Sequence, residues 1–335
     1  MAGWLIDDLD RVAAESAFTG VVRVDRAGEI LLDQAYGYSD RSYEIPNRTD
    51  TRFGVASGLK PMTALTVVSL IEDGRLGLDT RARTLLGDDL PLVADDVTVE
   101  HLLAHRSGIG DYLDEDEWGA ITDYVMPVPV HQLATPEDFL AVLDGHPTKF
   151  AAGSAFSYCN GGYVVLALLA ERASGVPYHD LVAQRVCEPA GMSSTAFLRS
   201  DELPGDAARG YLEADGLRTN VLHMPLRGTG DGGVYTSAAD VRSLWEALFD
   251  GRIVSAAWVT EMTRPRSQTD DERRYGLGFW LGATTDTVMI EGYDAGVSFR
   301  SMHDPASDTT CTVIANWSDG AWPVVKHFAE PLFGS

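Results

Sequence analysis

The spacing of apolar positions changes along the chain. In "MAGWLIDDLDRVAAESA", Trp4, Leu5, Leu9 and Val12 fall on one side at helical spacing, which predicts an amphipathic N-terminal helix. Two Val/Ile/Leu-rich runs in "TGVVRVDRAGEILLDQAYGYSD" flank Asp25 to Gly28 and predict a β-hairpin. "LKPMTALTVVSLIEDGRLGLD" reads as a buried helix that ends at Asp73-Gly74. From about Thr80 to Leu226 the pattern is mostly helical. One helix starts at a Thr98 cap, one at Thr135, and a longer one, "NGGYVVLALLAERASG", is closed by Gly175. Between Asp111 and Leu133 runs an irregular acidic and aromatic segment, either a lid or a solvated excursion. Strand character returns in "YGLGFWLG", "DTVMIEGYDAGVSFRSM" and "DTTCTVIANW", and "PVVKHFAEPLF" predicts a closing helix. Strands at both ends and helices in the middle predict one sheet built from residues 1–79 and 227–335, with a helical domain over 80–226.

Composition narrows the classes. With 335 residues, 45% of them hydrophobic, the chain can bury a large core. A formal net charge of −24 repels phosphate backbones and anionic lipid, so neither nucleic acid nor a membrane surface is expected as a partner. Highly anionic substrates are disfavoured too. The three cysteines, Cys159, Cys187 and Cys311, form no metal-binding spacing and no complete disulfide framework, so reduced thiols are expected. The N-terminus lacks a basic start and an apolar run of signal-peptide length, and no segment reaches the roughly 20 apolar residues of a membrane span. The expected location is cytoplasmic.

The chemistry centres on "FGVASGLKPMTAL". The chain has 23 Arg but only three Lys, Lys60, Lys149 and Lys326, so a lysine three residues after Ser57 asks for a task Arg cannot perform. If a helix begins at Ser57, positions i and i+3 share a face, and Pro61 suits the first turn. The serine would sit at the positive helix end, and a desolvated Lys60 could accept its proton. The plain structural alternative is an N-cap serine beside a solvated lysine. About one hundred residues on, "SYCNGG" places Tyr158 and Asn160 ahead of the long helix. A phenol near a cationic lysine could shift toward phenolate and relay a proton, and the amide could hold the lysine or an acyl group. Taken alone, these two also read as a core-edge aromatic and a capping Asn.

S-x-x-K followed by Y-x-N, in this order, resembles the serine β-lactamase and penicillin-binding superfamily. The resemblance points in particular to the class C β-lactamase-like branch, which includes family VIII carboxylesterases and D-aminopeptidases. "VTVEHLLAHRSGIGDY", "VCEPAGMSSTAF", "GTGDGGVYTSAADVRSLWEAL" and "YGLGFWLG" share that texture, over about Phe18 to Trp317. The resemblance implies an α/β (α+β) fold: an antiparallel sheet flanked by helices, an all-helical domain, and an active site in the cleft between them. It implies Ser57 as the acylated nucleophile, Lys60 as its proton acceptor, and Tyr158 as the general base and acid serving the leaving group. Asn160 would contact the acyl group, and the backbone N–H of Ser57 would form half of an oxyanion hole. No metal or organic cofactor is implied.

The third motif of that family, K-T-G or H-x-G, is absent. Alignment through Phe299 puts Gly292, Tyr293 and Asp294 in its place, with Ala295 next as the second oxyanion N–H. The usual cation and hydroxyl that grip a substrate carboxylate are replaced by Asp294, which would repel one. The leading expectation is therefore a serine hydrolase acting on small-molecule ester, amide or peptide substrates. The alternatives are a β-lactamase or D-amino-acid-specific peptidase with an altered third motif, and a non-catalytic binding protein. The Gly-rich "GTGDGG" lacks the lysine of a phosphate loop, and its Ser237-x-x-Asp240 is a capping box. His101 and His105 lack the glutamate of a zinc-protease helix and are expected to be structural.

Overall fold

The computed structural model describes residues 2–115, 119–269 and 273–334. Helix α1 (Ala2–Glu15) leads into the hairpin of β1 (Gly20–Arg26) and β2 (Glu29–Tyr36). The intervening Ala27 and Gly28 both have positive φ, the turn geometry that matches strand twist. Of the expected apolar face of α1, Leu9 is fully buried and Val12 packs beside it. The side chains of Trp4 and Leu5 lie outside the described residues. Six more strands follow late in the chain: β3 (Ser267–Gln268), β4 (Arg274–Tyr275), β5 (Trp280–Leu281), β6 (Val288–Asp294), β7 (Val297–Asp304) and β8 (Thr309–Ala315). They form one antiparallel sheet in the order β2-β1-β8-β7-β6-β5-β4-β3, so the two chain ends meet where β1 pairs with β8.

Strand alternation gives the sheet two apolar faces. Val22 and Val24 of β1 point to one side, with Cys311 and Val313 of β8, and are covered by α1 and the C-terminal helix Trp322–Phe333. Val21, Phe299 and Ile314 point to the other, against the main core. At its centre lies α2 (Lys60–Glu72), buried from Lys60 through Leu70 and ended at Gly74, where φ is +72°. Helix α3 (Val99–Leu103) starts at Thr98, whose side chain accepts from the His101 backbone while the His101 ring accepts from the Thr98 backbone. Helix α4 (Asn160–Ser174) is closed by left-handed Gly175, and α5 (Ala238–Phe249) starts at Ser237, which accepts from the Asp240 N–H.

Two expectations shift. At Thr135 only Leu140–Leu143 is α-helical, because the preceding residues close with i→i+3 hydrogen bonds from Asp138, Phe139 and Leu140. Residues 192–234 hold turns and isolated bridges instead of helix. The three cysteines are buried and unbonded to one another. Among the described residues no helix is long and apolar enough to cross a membrane, and no group of three or more His, Cys, Asp or Glu is placed to hold a metal ion.

Candidate active site

Ser57 lies on a single 3-10 turn, Ala56–Leu59, between the short strand Phe53–Gly54 and α2. The α-helix proper starts at Lys60, one turn later than the sequence reading placed it, because Gly58 and Lys60 bond three residues back, to Val55 and Ser57. Pro61 then falls in the first turn of α2. Ala56 is held at φ +45°, a conformation costing on the order of 1 kcal/mol for a residue with a side chain. Two neighbours hold the turn. The backbone of Gly232 packs against Ala56, and β6 lies directly over the turn at Gly292. A Cβ at Gly292 would stand 1.9 Å from the Val55 carbonyl oxygen, so only glycine permits that approach.

The side chains of Ser57, Lys60, Tyr158 and Asn160 converge there. Lys60 is 2% exposed and donates to Ser57 Oγ at 2.7 Å, to Asn160 Oδ1 at 2.8 Å and to the Asp231 carbonyl at 2.8 Å. Three acceptors match the three N–H groups of an ammonium. Burial lowers the Lys60 pKa, while Asp231, Glu115 and Asp111 raise it in opposition. Burial thus works against the charged form of the lysine, while specific partners hold it in place.

The phenol of Tyr158 lies near enough to Ser57 to feel its hydroxyl, and its ring centroid lies 4.9 Å from Lys60 Nζ. Burial, then the charge of Glu115, pushes the phenol well above its ordinary value. It therefore keeps its proton in the resting protein, in contrast to the phenolate suggested by the sequence. Asn160 is committed on both sides of its amide: Oδ1 accepts from Lys60, and Nδ2 donates to the Leu113 carbonyl at 2.9 Å and Glu115 Oε1 at 3.2 Å. Its backbone N–H and that of Gly161 donate to Asp111, at 2.6 and 2.8 Å, which fixes the start of α4.

Ser57 and Asn160 line a cavity of about 190 Å³ together with Asp231 and Asp294, while Lys60 and Tyr158 stand behind them, outside its lining. The acidic segment after Asp111 forms its outer wall through Tyr112, Glu115 and Tyr124; Trp118, Asp116 and Glu117 lie outside the described residues. Tyr112 donates to the Asp231 carboxylate, and Tyr124 donates to the Tyr112 carbonyl at 3.0 Å. Asp294 faces the same space, and burial, with Asp231 and Glu115 adding to it, pushes its carboxyl up to about 7. Ala295 is not brought to the lining: it is 1% exposed, and its N–H donates to Asp294 Oδ1 at 2.7 Å. Arg300 pairs with Glu291 and lies over Trp322, so it supplies no cation to the cavity.

Asp231 was missed as a site residue. Its signal was the glycine run around it: a Cβ at Gly230 would stand 2.0 Å from the Tyr163 carbonyl oxygen. The run is needed for close backbone passage, and that passage delivers the Asp231 carbonyl to Lys60.

Comparisons with known proteins bear on the family and the fold. A putative penicillin-binding protein, PbpX, from Bacillus subtilis (strain 168) is 30% identical over 85% of the chain and 68% of its own length. Esterase EstB of Burkholderia gladioli is 35% identical over 57% of the chain and 50% of its own length, and a D-aminopeptidase of Brucella anthropi 30% over 94% and 59%. The chain thus spans between half and about two thirds of these relatives. Among solved structures, a penicillin-binding protein from Bacillus halodurans superposes with a TM-score of 0.90 at 33% identity, over 97% of this chain and 100% of that one. The Beta-lactamase family model matches residues 7–330, and the chain belongs to that family.

Proposed function

We propose that the protein is a serine hydrolase that cleaves small esters or amides through an acyl-enzyme on Ser57. The observation that carries this reading is the 2.7 Å hydrogen bond between Ser57 Oγ and a buried Lys60. In its neutral form Lys60 takes the Ser57 proton as Oγ attacks the substrate carbonyl, and the Ser57 N–H at the turn faces the developing oxyanion. The phenol of Tyr158 then protonates the departing alkoxide or amine and regains a proton from the Lys60 ammonium. Water repeats the sequence on the acyl-enzyme, releasing the acid and restoring Ser57. The family membership and the esterase and D-aminopeptidase among the relatives support this reaction type.

The charge of the cavity speaks to the substrate. Glu115, Asp231 and Asp294 oppose one ammonium, and among the described residues lining the cavity no Lys or Arg replaces the missing third-motif lysine. Neutral acyl groups are therefore favoured over the carboxylate-bearing substrates of a β-lactamase or D,D-peptidase. Hydrolysis of p-nitrophenyl acetate or butyrate by wild type and Ser57→Ala tests the reading. Activity confined to wild type is expected; equal turnover by the variant would overturn it.

A further inference from the structure

His105 brackets Tyr158 from both sides of the chain. It follows α3, sits at φ +53° and is 1% exposed. Its carbonyl oxygen accepts from the Ser157 N–H at 3.0 Å, and its ring Nδ1 accepts from the Cys159 N–H at 3.0 Å. The residues on either side of Tyr158 are thus tied to one residue 53 positions earlier in the chain. The ring also packs on Tyr158 itself, with centroids 4.3 Å apart, and on Tyr163 and Tyr275 at 4.9 and 4.8 Å. Trp280 stacks on Tyr158 at 5.9 Å and 12°.

The protonation state follows from the contacts. An Nδ1 that accepts leaves the proton of a neutral ring on Nε2, and Nε2 has no hydrogen-bond partner among the described residues. Burial, and then the Lys60 charge, holds His105 well below the ordinary histidine value, so it stays neutral and adds no second cation beside the lysine. An unpaired buried N–H destabilises the fold, and a left-handed residue with a side chain adds to that cost. Apolar filling of the same space would avoid the first cost. What an apolar residue would lose is the acceptor that fixes the Cys159 backbone next to Tyr158.

We propose that His105 is a positioning residue that sets the Tyr158 phenol against Ser57 and Lys60, through the paired 157 and 159 backbone bonds and the ring contact. This rests on the role given to Tyr158 in proton transfer. His105 itself touches neither substrate nor the reacting atoms.

The test is a double-mutant cycle on a neutral activated ester, with kcat, KM, the pH profile of kcat and melting temperature recorded for each variant. His105→Leu and His105→Phe remove the acceptor, the second keeping an aromatic ring. His105→Asn keeps an acceptor and tolerates positive φ. The expected result is a kcat reduced about 10–100-fold in whichever of the Leu and Phe variants folds, with KM nearly unchanged and the pH profile displaced. His105→Asn should recover most of the loss. Added to Tyr158→Phe, the Leu or Phe substitution should cost little further. A wild-type kcat and pH profile in a folded Leu or Phe variant would overturn the proposal, as would losses that multiply in the double variant. A His105→Asn variant with unchanged melting temperature and a loss as deep as Leu or Phe would overturn the acceptor role. Wild-type turnover by Tyr158→Phe would instead remove the premise about Tyr158, and separates that failure from one specific to His105.

Discussion

Replacing Asp294 by Asn removes a charge from the cavity while keeping the side chain's shape and its acceptor for the Ala295 N–H. A substrate carboxylate seated roughly 6 Å away would meet about 3 kcal/mol of repulsion at an effective dielectric constant near 20, on the order of 100-fold in kcat/KM. Asp294 is half-buried, and solvent screening reduces this to about 10-fold. Burial pushes its carboxyl up to about 7, so the charge is mostly absent at pH 5.5 and present at pH 8.5. The assay compares kcat/KM for the p-nitrophenyl esters of butyric acid and of glutaric acid, the second bearing one free carboxylate, across that range. In wild type the preference for the neutral ester should grow as pH rises through 7. In Asp294→Asn the preference should be smaller at pH 8.5 and flat through that window. The same ratio and the same pH step in both proteins would refute the assignment of Asp294 as the excluding charge.

Lys60→Arg keeps a cation but forbids deprotonation, so kcat should fall about 10²–10⁴-fold on an activated ester; a loss under tenfold would remove Lys60 as proton acceptor. Gly292→Ala would drive a Cβ against the Val55 carbonyl, and denaturant melts should report about 1–3 kcal/mol of lost stability together with lost activity. Burial raises both Asp111, to about 6, and Asp294, to about 7, above their values in the unfolded chain. Their contribution to stability is complete below about pH 4 and is lost as pH rises through 6 and 7. Melting temperature measured from pH 5 to 8 should therefore fall less steeply in Asp294→Asn than in wild type.

Local sequence carried the parts of the site that are local. The i, i+3 spacing of Ser57 and Lys60, with Pro61 behind them, specified a serine and a lysine one turn apart, and the turn holds them at hydrogen-bond distance. The pattern of β1 and β2 around Gly28, and the caps at Thr98 and Ser237, were equally readable, because each depends on a few neighbouring residues. The remaining features depend on contacts far apart in sequence. The third acceptor on Lys60 is a backbone carbonyl at Asp231, 171 residues away, and a carbonyl has no residue-type signature. His105 and Asp111 looked like members of a helix and a loop, yet they fix the chain around Tyr158 and Asn160. Ala295 was placed by counting along a motif. The two-residue turn between Asp294 and Val297 instead buries it, with its N–H turned to Asp294. The phenolate expectation for Tyr158 failed for a related reason: neighbouring charge was visible in the sequence, but burial was not, and burial prevails.

The account turns on a covalent bond to Ser57. Intact-mass measurement of the protein quenched in acid during turnover of a neutral p-nitrophenyl ester, followed by peptide mapping, should find one added acyl group on the peptide carrying Ser57. Wild type should show this adduct and Ser57→Ala should show none. Turnover that leaves no Ser57 adduct in wild type, or that persists in Ser57→Ala, would contradict it.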